Sequence, residues 1–466
     1  MSTTHSKKML GVFSLAMISV AAIINLRSLP LMASIGLPSV FFYLCSGLLF
    51  LIPSGLVCAE LATSYPQAGG VYLWVKQAFG GKTGFVAIWL EWINNVISFP
   101  ASLATMAATL SYLINPTLAS NKIYLFTCTL IILWFATWFN CRGIKASSRL
   151  NIIGAMFGTL IPGALIIGLG AYWLFSHHAS QINFAHASIF PAWHYSSFVF
   201  FSGVLSAYAG MQITAFHAPN VINPQKNYTR AILLAMILIL CTTIFASLAI
   251  AIVVPKSQLN LVAGLIEGFN SFFRALHLSW ATPILVILIL LGSFSGLSAW
   301  LLGPARGLAV AAKQGHFFKR YAEENENGAP RAILILQAWI ATIFASLFLF
   351  LPNASTAFWM LLDMSSQSTL LLYLLMFGSV IWLRYSEPNT KRPFKIPGGK
   401  IGVWIVCLPA MMISVVGIFT GFMLPTSIAA KNQLNHYELI LIICTIIYLM
   451  IPLLLVRRRK NLLNIG

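Results

Sequence analysis

The sequence predicts an all-α integral membrane protein with twelve transmembrane helices. Three observations predict it. Of 466 residues, 59% are hydrophobic and 8% charged, against about 25% charged in an ordinary soluble domain. The apolar residues fall in long runs separated by short polar segments. Lys and Arg alternate in density from one such segment to the next. A chain this poor in charge cannot cover a water-facing surface, so its solvent is largely lipid.

A spanning helix needs about 20 apolar residues. Runs of that size lie near 9–35, 39–65, 84–114, 122–141, 150–175 and 194–221, then 229–254, 280–311, 331–351, 355–383, 401–424 and 437–456. The first has no small-residue cleavage site and reads as a retained helix, not a signal peptide. Turn chemistry separates the runs at Tyr65 to Gly70, at Asn223-Pro224-Gln225 and from Glu387 to Gly399. Two longer connections, 176–193 and 255–279, are expected to pack over the outer mouth. No polar stretch is long enough for a soluble module, which argues against a receptor. The seven cysteines sit in or beside apolar runs and read as small buried hydrophobes.

The net charge of +19 would suggest nucleic acid in a soluble protein, but its distribution is that of membrane topology. One set of connections holds Lys76, Lys82, Arg142, Arg230, Arg306, Arg384, Lys400 and the terminal Arg457-Arg458-Arg459-Lys460. The alternate set holds Lys122, Lys256, Arg274 and Lys431. The positive-inside rule makes the first set cytoplasmic, with both termini inside. No nucleic-acid partner is expected, and homo-oligomerisation is left open.

The first and sixth runs are interrupted. Ile24-Asn25-Leu26-Arg27-Ser28-Leu29-Pro30 puts Asn, Arg, Ser and Pro at bilayer depth. Ser206-Ala207-Tyr208-Ala209-Gly210-Met211-Gln212 puts a glycine and polar side chains at the matching depth five spans later. Unwound backbone is tolerated in a membrane where it lines a cavity or is buried in protein. Paired interruptions in matching helices mark a transporter's central site, with half-helix N-termini facing a carboxylate and free carbonyls facing an ammonium. The bland reading is two kinks in an ordinary bundle, and the matched register favours the site.

Several segments together resemble the amino acid–polyamine–organocation superfamily, and within it bacterial glutamate/GABA-type antiporters. They are Glu60 to Tyr72, Trp89-Leu90-Glu91-Trp92 with Asn95 and Pro100, and Tyr208-Ala209-Gly210 followed by His217. Further on come Trp300 to Gly307 and Phe394 to Lys400. The likeness runs from about residue 9 to 456. It implies a leucine-transporter-type fold with a 5+5 inverted repeat: one repeat over about 9–175, the second over about 194–383, and two extra helices over about 401–456. It also implies substrate held between the broken first and sixth helices, with Trp300 as a gate. The chain departs from the resemblance at Gln212 and Asn220, where acidic residues are common, and at Gly296, where the exchangers carry Glu. About ten residues follow the last run, in place of a long tail.

The candidate substrate-binding set is Ile24, Asn25, Arg27, Ser206, Tyr208, Gly210, Gln212 and Trp300. Arg27 is a cation inside a span, and such a charge is functional by default; the alternative is snorkelling to the interface. Glu91 and Asp363 are the gating or proton-coupling candidates, since desolvation brings a carboxyl toward physiological titration. Structural hydrogen bonding or capping is the competing role for each. Glu60 is expected to pair with a loop cation. Four histidines in or beside the 176–193 connection read as solvated. No metal, cofactor or catalytic motif is present, so the chain is not expected to be an enzyme. The expected function is secondary active transport of amino acids across the bacterial inner membrane, by exchange of neutral or acidic substrates. The alternative is proton- or sodium-coupled symport, with Ser293, Ser295 and Ser298 as candidate sodium ligands.

Overall fold

The computed structural model describes residues 11–24, 26–65, 69–142, 154, 156–184, 186–192, 195–214, 222–256, 259–326, 328–423 and 434–463. Asn25, His194, His217 and Asn220 lie outside the described residues.

The described residues form sixteen principal helical segments, and no strand occurs among them. In chain order they are α1 (Val12–Ile23), α2 (Leu29–Ala33), α3 (Ser39–Ser64), α4 (Val71–Phe79) and α5 (Gly81–Ser111). Then come α6 (Lys122–Cys141), α7 (Ile161–Phe175), α8 (Tyr195–Ala207), α9 (Met211–Thr214), α10 (Pro224–Val253) and α11 (Gly264–Ala275). The rest are α12 (Thr282–Lys313), α13 (Arg331–Phe350), α14 (Ala354–Ser386), α15 (Gly399–Thr420) and α16 (Leu434–Leu463).

Nine helices among the described residues are long and apolar enough to cross a membrane. The other three expected spans depart from that pattern for physical reasons. The first and sixth are split, into α1 and α2 and into α8 and α9. The third, α5, has 31 residues but carries Glu91, Asn94 and Asn95, because it runs through protein and not along lipid. Its Trp92, Val96, Phe99 and Ala101 are all at most 2% exposed, with α4, α6, α12, α13, α14 and α16 packed against it.

Local sequence explains where the helices begin. The Asn121 side chain accepts from the Ile123 and Tyr124 amides and caps α6. Asn353 does the same for α14 through the Thr356 amide, at 2.8 Å. Lys122 and Lys256 serve helix ends too. The Lys122 ammonium donates to the Leu351 carbonyl just beyond α13, at 2.6 Å. A cation there meets the negative end of the helix dipole.

Both interruptions are visible in the backbone. Helix α1 ends at Ile24, whose ψ of 108° is extended, and a single 3₁₀ turn over Leu26–Ser28 leads into α2. Pro30, in the first turn of α2, has no amide to leave unsatisfied there. Helix α8 stops at Ala207, and Gly210 has φ +138°, a conformation that disfavours any side chain. A π-helical turn over Met156–Leu160 precedes α7, and there the chain meets α12 backbone to backbone. A Cβ on Gly158 would lie 2.1 Å from the Gly292 nitrogen, and one on Gly292 2.4 Å from the Gly158 carbonyl.

Glu60 departs from expectation in its main partner. Arg384, read from sequence as a loop residue, is buried in the last turn of α14. Its Nε and Nη2 donate to the two Glu60 carboxylate oxygens at 2.5 and 2.6 Å. The loop cation Arg392 stands at 3.4 Å, and the Ile396 amide donates to the same carboxylate at 2.8 Å. This network ties α3, α14 and the connection to α15 at one end of the bundle.

Candidate functional site

A cavity of about 170 Å³ opens between the two broken helices. Ile23, Ile24, Leu26 and Arg27 line it from the first break, and Ser206, Ala207, Ala209 and Gln212 from the second. The unwound segments put peptide groups where a continuous helix would consume them internally. Leu265 of α11 reaches the cavity as well. Helix α11 is seated on α2, since a Cβ on its Gly264 would come within 2.7 Å of the Pro30 Cβ.

Of the candidate residues named from sequence, Ile24, Arg27, Ser206, Gln212 and Trp300 line this cavity. Tyr208 and Gly210 do not. The fully buried Tyr208 turns toward α10, its hydroxyl 3.1 Å from Thr243 Oγ1, with its ring beside Tyr43. The Gly210 amide donates to the Tyr373 hydroxyl at 2.9 Å, behind the cavity wall. Glu91 and Asp363 also lie behind the wall, both buried. Asp363 accepts from the Ser202 hydroxyl at 3.3 Å. Of the three serines on α12, Ser293 lines the cavity, whereas Ser298 donates to Asn140 at 2.7 Å and Ser295 abuts Gly154.

The structure adds two polar stripes that the sequence reading missed. On α5, Asn94, Ser98, Ser102 and Thr105 follow one another at helical spacing and line the cavity together. Ser365, Ser366 and Thr369 of α14 line it too, and the Ser365 hydroxyl donates to Asn94 across the seam. The i, i+4, i+8, i+11 spacing was available in the sequence, but other polar residues of the same two helices, Glu91, Asp363 and Gln367 among them, lie off the stripes and obscure it.

Arg27 is the one charged side chain lining the cavity among the described residues. Its Nη1 donates to the Ser98 carbonyl at 3.3 Å, which places the guanidinium against α5 and not toward the membrane surface. The remaining polar lining is hydroxyl and amide. Several of those hydroxyls donate back along their own helix, Ser102 to the Ser98 carbonyl at 3.2 Å and Thr105 to the Ala101 carbonyl at 3.1 Å. Their lone pairs remain available to a bound donor. The cavity can therefore hold a carboxylate near Arg27 and donor groups along the α5 and α14 stripes.

Trp300 borders the cavity half-buried. One turn on, Pro304 removes the amide that would otherwise bond the Trp300 carbonyl.

At the far end of the bundle, the Tyr65 and Gln77 side chains donate to Glu387 at 2.7 and 2.6 Å. Gln77 foremost, with Tyr65, Thr390 and Arg392, holds the Glu387 carboxyl below its ordinary range. At the α11 end, burial pushes the Glu267 carboxyl up to about 7, against the opposing hydrogen bond from the Asn260 amide.

Comparison with known proteins agrees with this architecture. The amino acid permease family profile matches residues 10–448. An uncharacterised transporter of Legionella pneumophila is 42% identical over 98% of both chains. A glutamate/gamma-aminobutyrate antiporter of Lactococcus lactis is 28% identical over 96% of this chain and 90% of its own. Among solved structures, that of MhsT in complex with L-phenylalanine superposes with a TM-score of 0.62 at 14% identity. It covers 89% of this chain and 99% of the other, and it places the fold in the leucine-transporter type. The chain is thus a multi-pass membrane protein of the amino acid permease family, a transporter and not an enzyme.

Proposed function

We propose that the protein exchanges neutral or acidic amino acids across the bacterial inner membrane by alternating access around the cavity between its two broken helices. The reading assigns twelve spans, a 5+5 inverted repeat with two appended helices, and both termini to the cytoplasm. The Lys/Arg bias supports that orientation, and it puts the α11 end outside.

One observation carries the substrate class. Arg27 is the sole charged side chain lining the cavity among the described residues, and it comes with no lining carboxylate. A cavity of that sign attracts a carboxylate and disfavours a second cation. Ile24, Ser206 and Gln212, with Asn25 from the same break, complete the proposed binding set, and Trp300 closes over it. Tyr208 and Gly210 contribute by holding the break in place and not by direct contact.

Counterflow in proteoliposomes tests this, with labelled amino acids outside and a panel of unlabelled ones inside. Arg27→Ala should weaken substrate binding by about 1.5–3 kcal/mol, the worth of a hydrogen bond to a charged group. That is about tenfold to 150-fold in affinity. Arg27→Lys should restore part, because an ammonium cannot reproduce the planar fork. Accumulation of arginine or lysine by the wild type, or unchanged exchange by Arg27→Ala, would refute the reading.

A further inference from the structure

Glu91 sits at the end of a hydrogen-bonded chain that starts on the unwound sixth helix. The Gly210 amide donates to the Tyr373 hydroxyl at 2.9 Å. That hydroxyl donates to Gln212 Oε1 at 2.6 Å. The Gln212 amide nitrogen in turn points at Glu91 Oε1, at 3.5 Å. All donors in this chain run one way, so its strength depends on the terminal acceptor. A carboxylate there polarises every link, and a neutral carboxylic acid does so much less.

The charges around Glu91 leave it without an ionic partner. It is 3% exposed, and among the described residues no cation lies within ion-pair distance of it. The titratable groups that feel its charge are Cys58 of α3 and Tyr373 of α14. The others on packed elements are engaged elsewhere, Lys313 of α12 with Glu324 and Arg384 of α14 with Glu60. Tyr72 and Lys76 of α4 bond Gln314, Arg306 of α12 bonds the Gly328 carbonyl, and Tyr448 of α16 bonds the Met364 carbonyl. On α6, Lys122 bonds the Leu351 carbonyl and Tyr124 the Ala107 carbonyl, and Arg142 beyond its end lies over the Trp138 ring. Arg331 opens α13 beside Cys141 at the end of α6. Arg27 contacts α5 at Ser98, two turns from Glu91, and Asp363 is held by Ser202. A carboxyl so placed is costly to ionise, and a proton is the ligand that relieves the cost.

We propose that Glu91 is a proton-binding site whose occupancy controls how firmly the sixth-helix break is held against α5 and α14, making transport pH-dependent. The carboxylate takes up one proton from water to become the acid, the Gln212 link weakens, and α9 is freed to move relative to α14. As the pH rises the proton leaves, the chain tightens, and the break is pinned. The proposal builds on the transport reading above, and its test separates the two.

Infrared pH titration of the purified protein, from about pH 5 to about pH 8, reads the carbonyl stretch of a protonated carboxyl. Because Glu267 also titrates in this window, the test is made in Glu267→Gln, where a titrating band should be present and should be lost when Glu91→Gln is added. Glu91→Asp should keep such a band with a shifted midpoint, which covers a Gln variant that folds poorly. In proteoliposomes, exchange by the wild type should follow the same pH curve, and Glu91→Gln should lose that dependence. Tyr373→Phe should keep the band and lose the link between pH and exchange. A band that survives in the double variant Glu267→Gln, Glu91→Gln, no band in Glu267→Gln alone, or a wild-type pH curve of exchange in Glu91→Gln would overturn the proposal. Absence of exchange with every amino acid would instead overturn the transport reading, with the infrared titration still deciding on Glu91.

Discussion

Replacing Glu60 by glutamine should be among the most damaging single-atom changes in the molecule. The carboxylate is 2% exposed and faces an Arg384 side chain that is 4% exposed, with a second guanidinium, that of Arg392, at 3.4 Å. The glutamine would keep one oxygen for the Ile396 amide and turn an NH₂ toward the Arg384 fork, donor against donor. The Arg384 guanidinium would then be left without its counter-charge, while Arg392 would keep the nearby Glu387 carboxylate. Breaking a buried pair from one side costs about 3–5 kcal/mol, because the remaining charge stays desolvated. Equilibrium unfolding in mixed micelles, read by tryptophan fluorescence, should show a loss of that size. The double variant Glu60→Gln, Arg384→Gln should recover a substantial part of it, since it removes the stranded cation, and the cycle yields the coupling directly. A Glu60→Gln protein within about 1 kcal/mol of wild type would mean the network behaves like a solvated surface bridge. A double variant no better than the single would show that the loss is one of packing and not of charge.

Trp300→Ala should lower transport efficiency about tenfold, corresponding to about 1.4 kcal/mol of lost stabilisation, while insertion and thermal midpoint stay near wild type. Unchanged uptake would leave the ring a packing residue. Glu267 offers a test of pH linkage outside the spans. Its carboxyl binds a proton more tightly folded than unfolded, with a value raised from 4.5 to about 7. The resulting stabilisation is fully present below the ordinary value and lost as pH rises through about 7. Glu267→Gln should therefore flatten the fall in unfolding midpoint across that window, and an unaltered pH profile would rule out this group as its source.

The interruptions were legible in the sequence because their causes are local. Pro30, Arg27 and Gly210 are each conspicuous inside an apolar run, and the broken backbone falls where they stand. The polar stripe on α5 was less visible, since four hydroxyl or amide residues over three turns look like noise until a cavity gives their face a meaning. Side-chain direction was not legible either. Tyr208 belongs to the sixth-helix motif, but Thr243, 35 residues away, decides where its hydroxyl points. The Glu60–Arg384 pair spans 324 residues. The sequence anticipated a loop cation for Glu60, which Arg392 supplies, and the tertiary fold adds Arg384 from the end of a helix.

The bare backbone contact between Gly158 and Gly292 has a mechanical consequence. Elsewhere in the bundle, neighbouring helices interlock through side chains, and a relative shift must first lift each knob out of its hole. Where two glycines meet there is nothing to lift. At that point the π turn before α7 and α12 can slide over one another like smooth journals, and the next side chain along the seam is Ser295 against Gly154. A methyl group at either position would run into the facing backbone and take that freedom away.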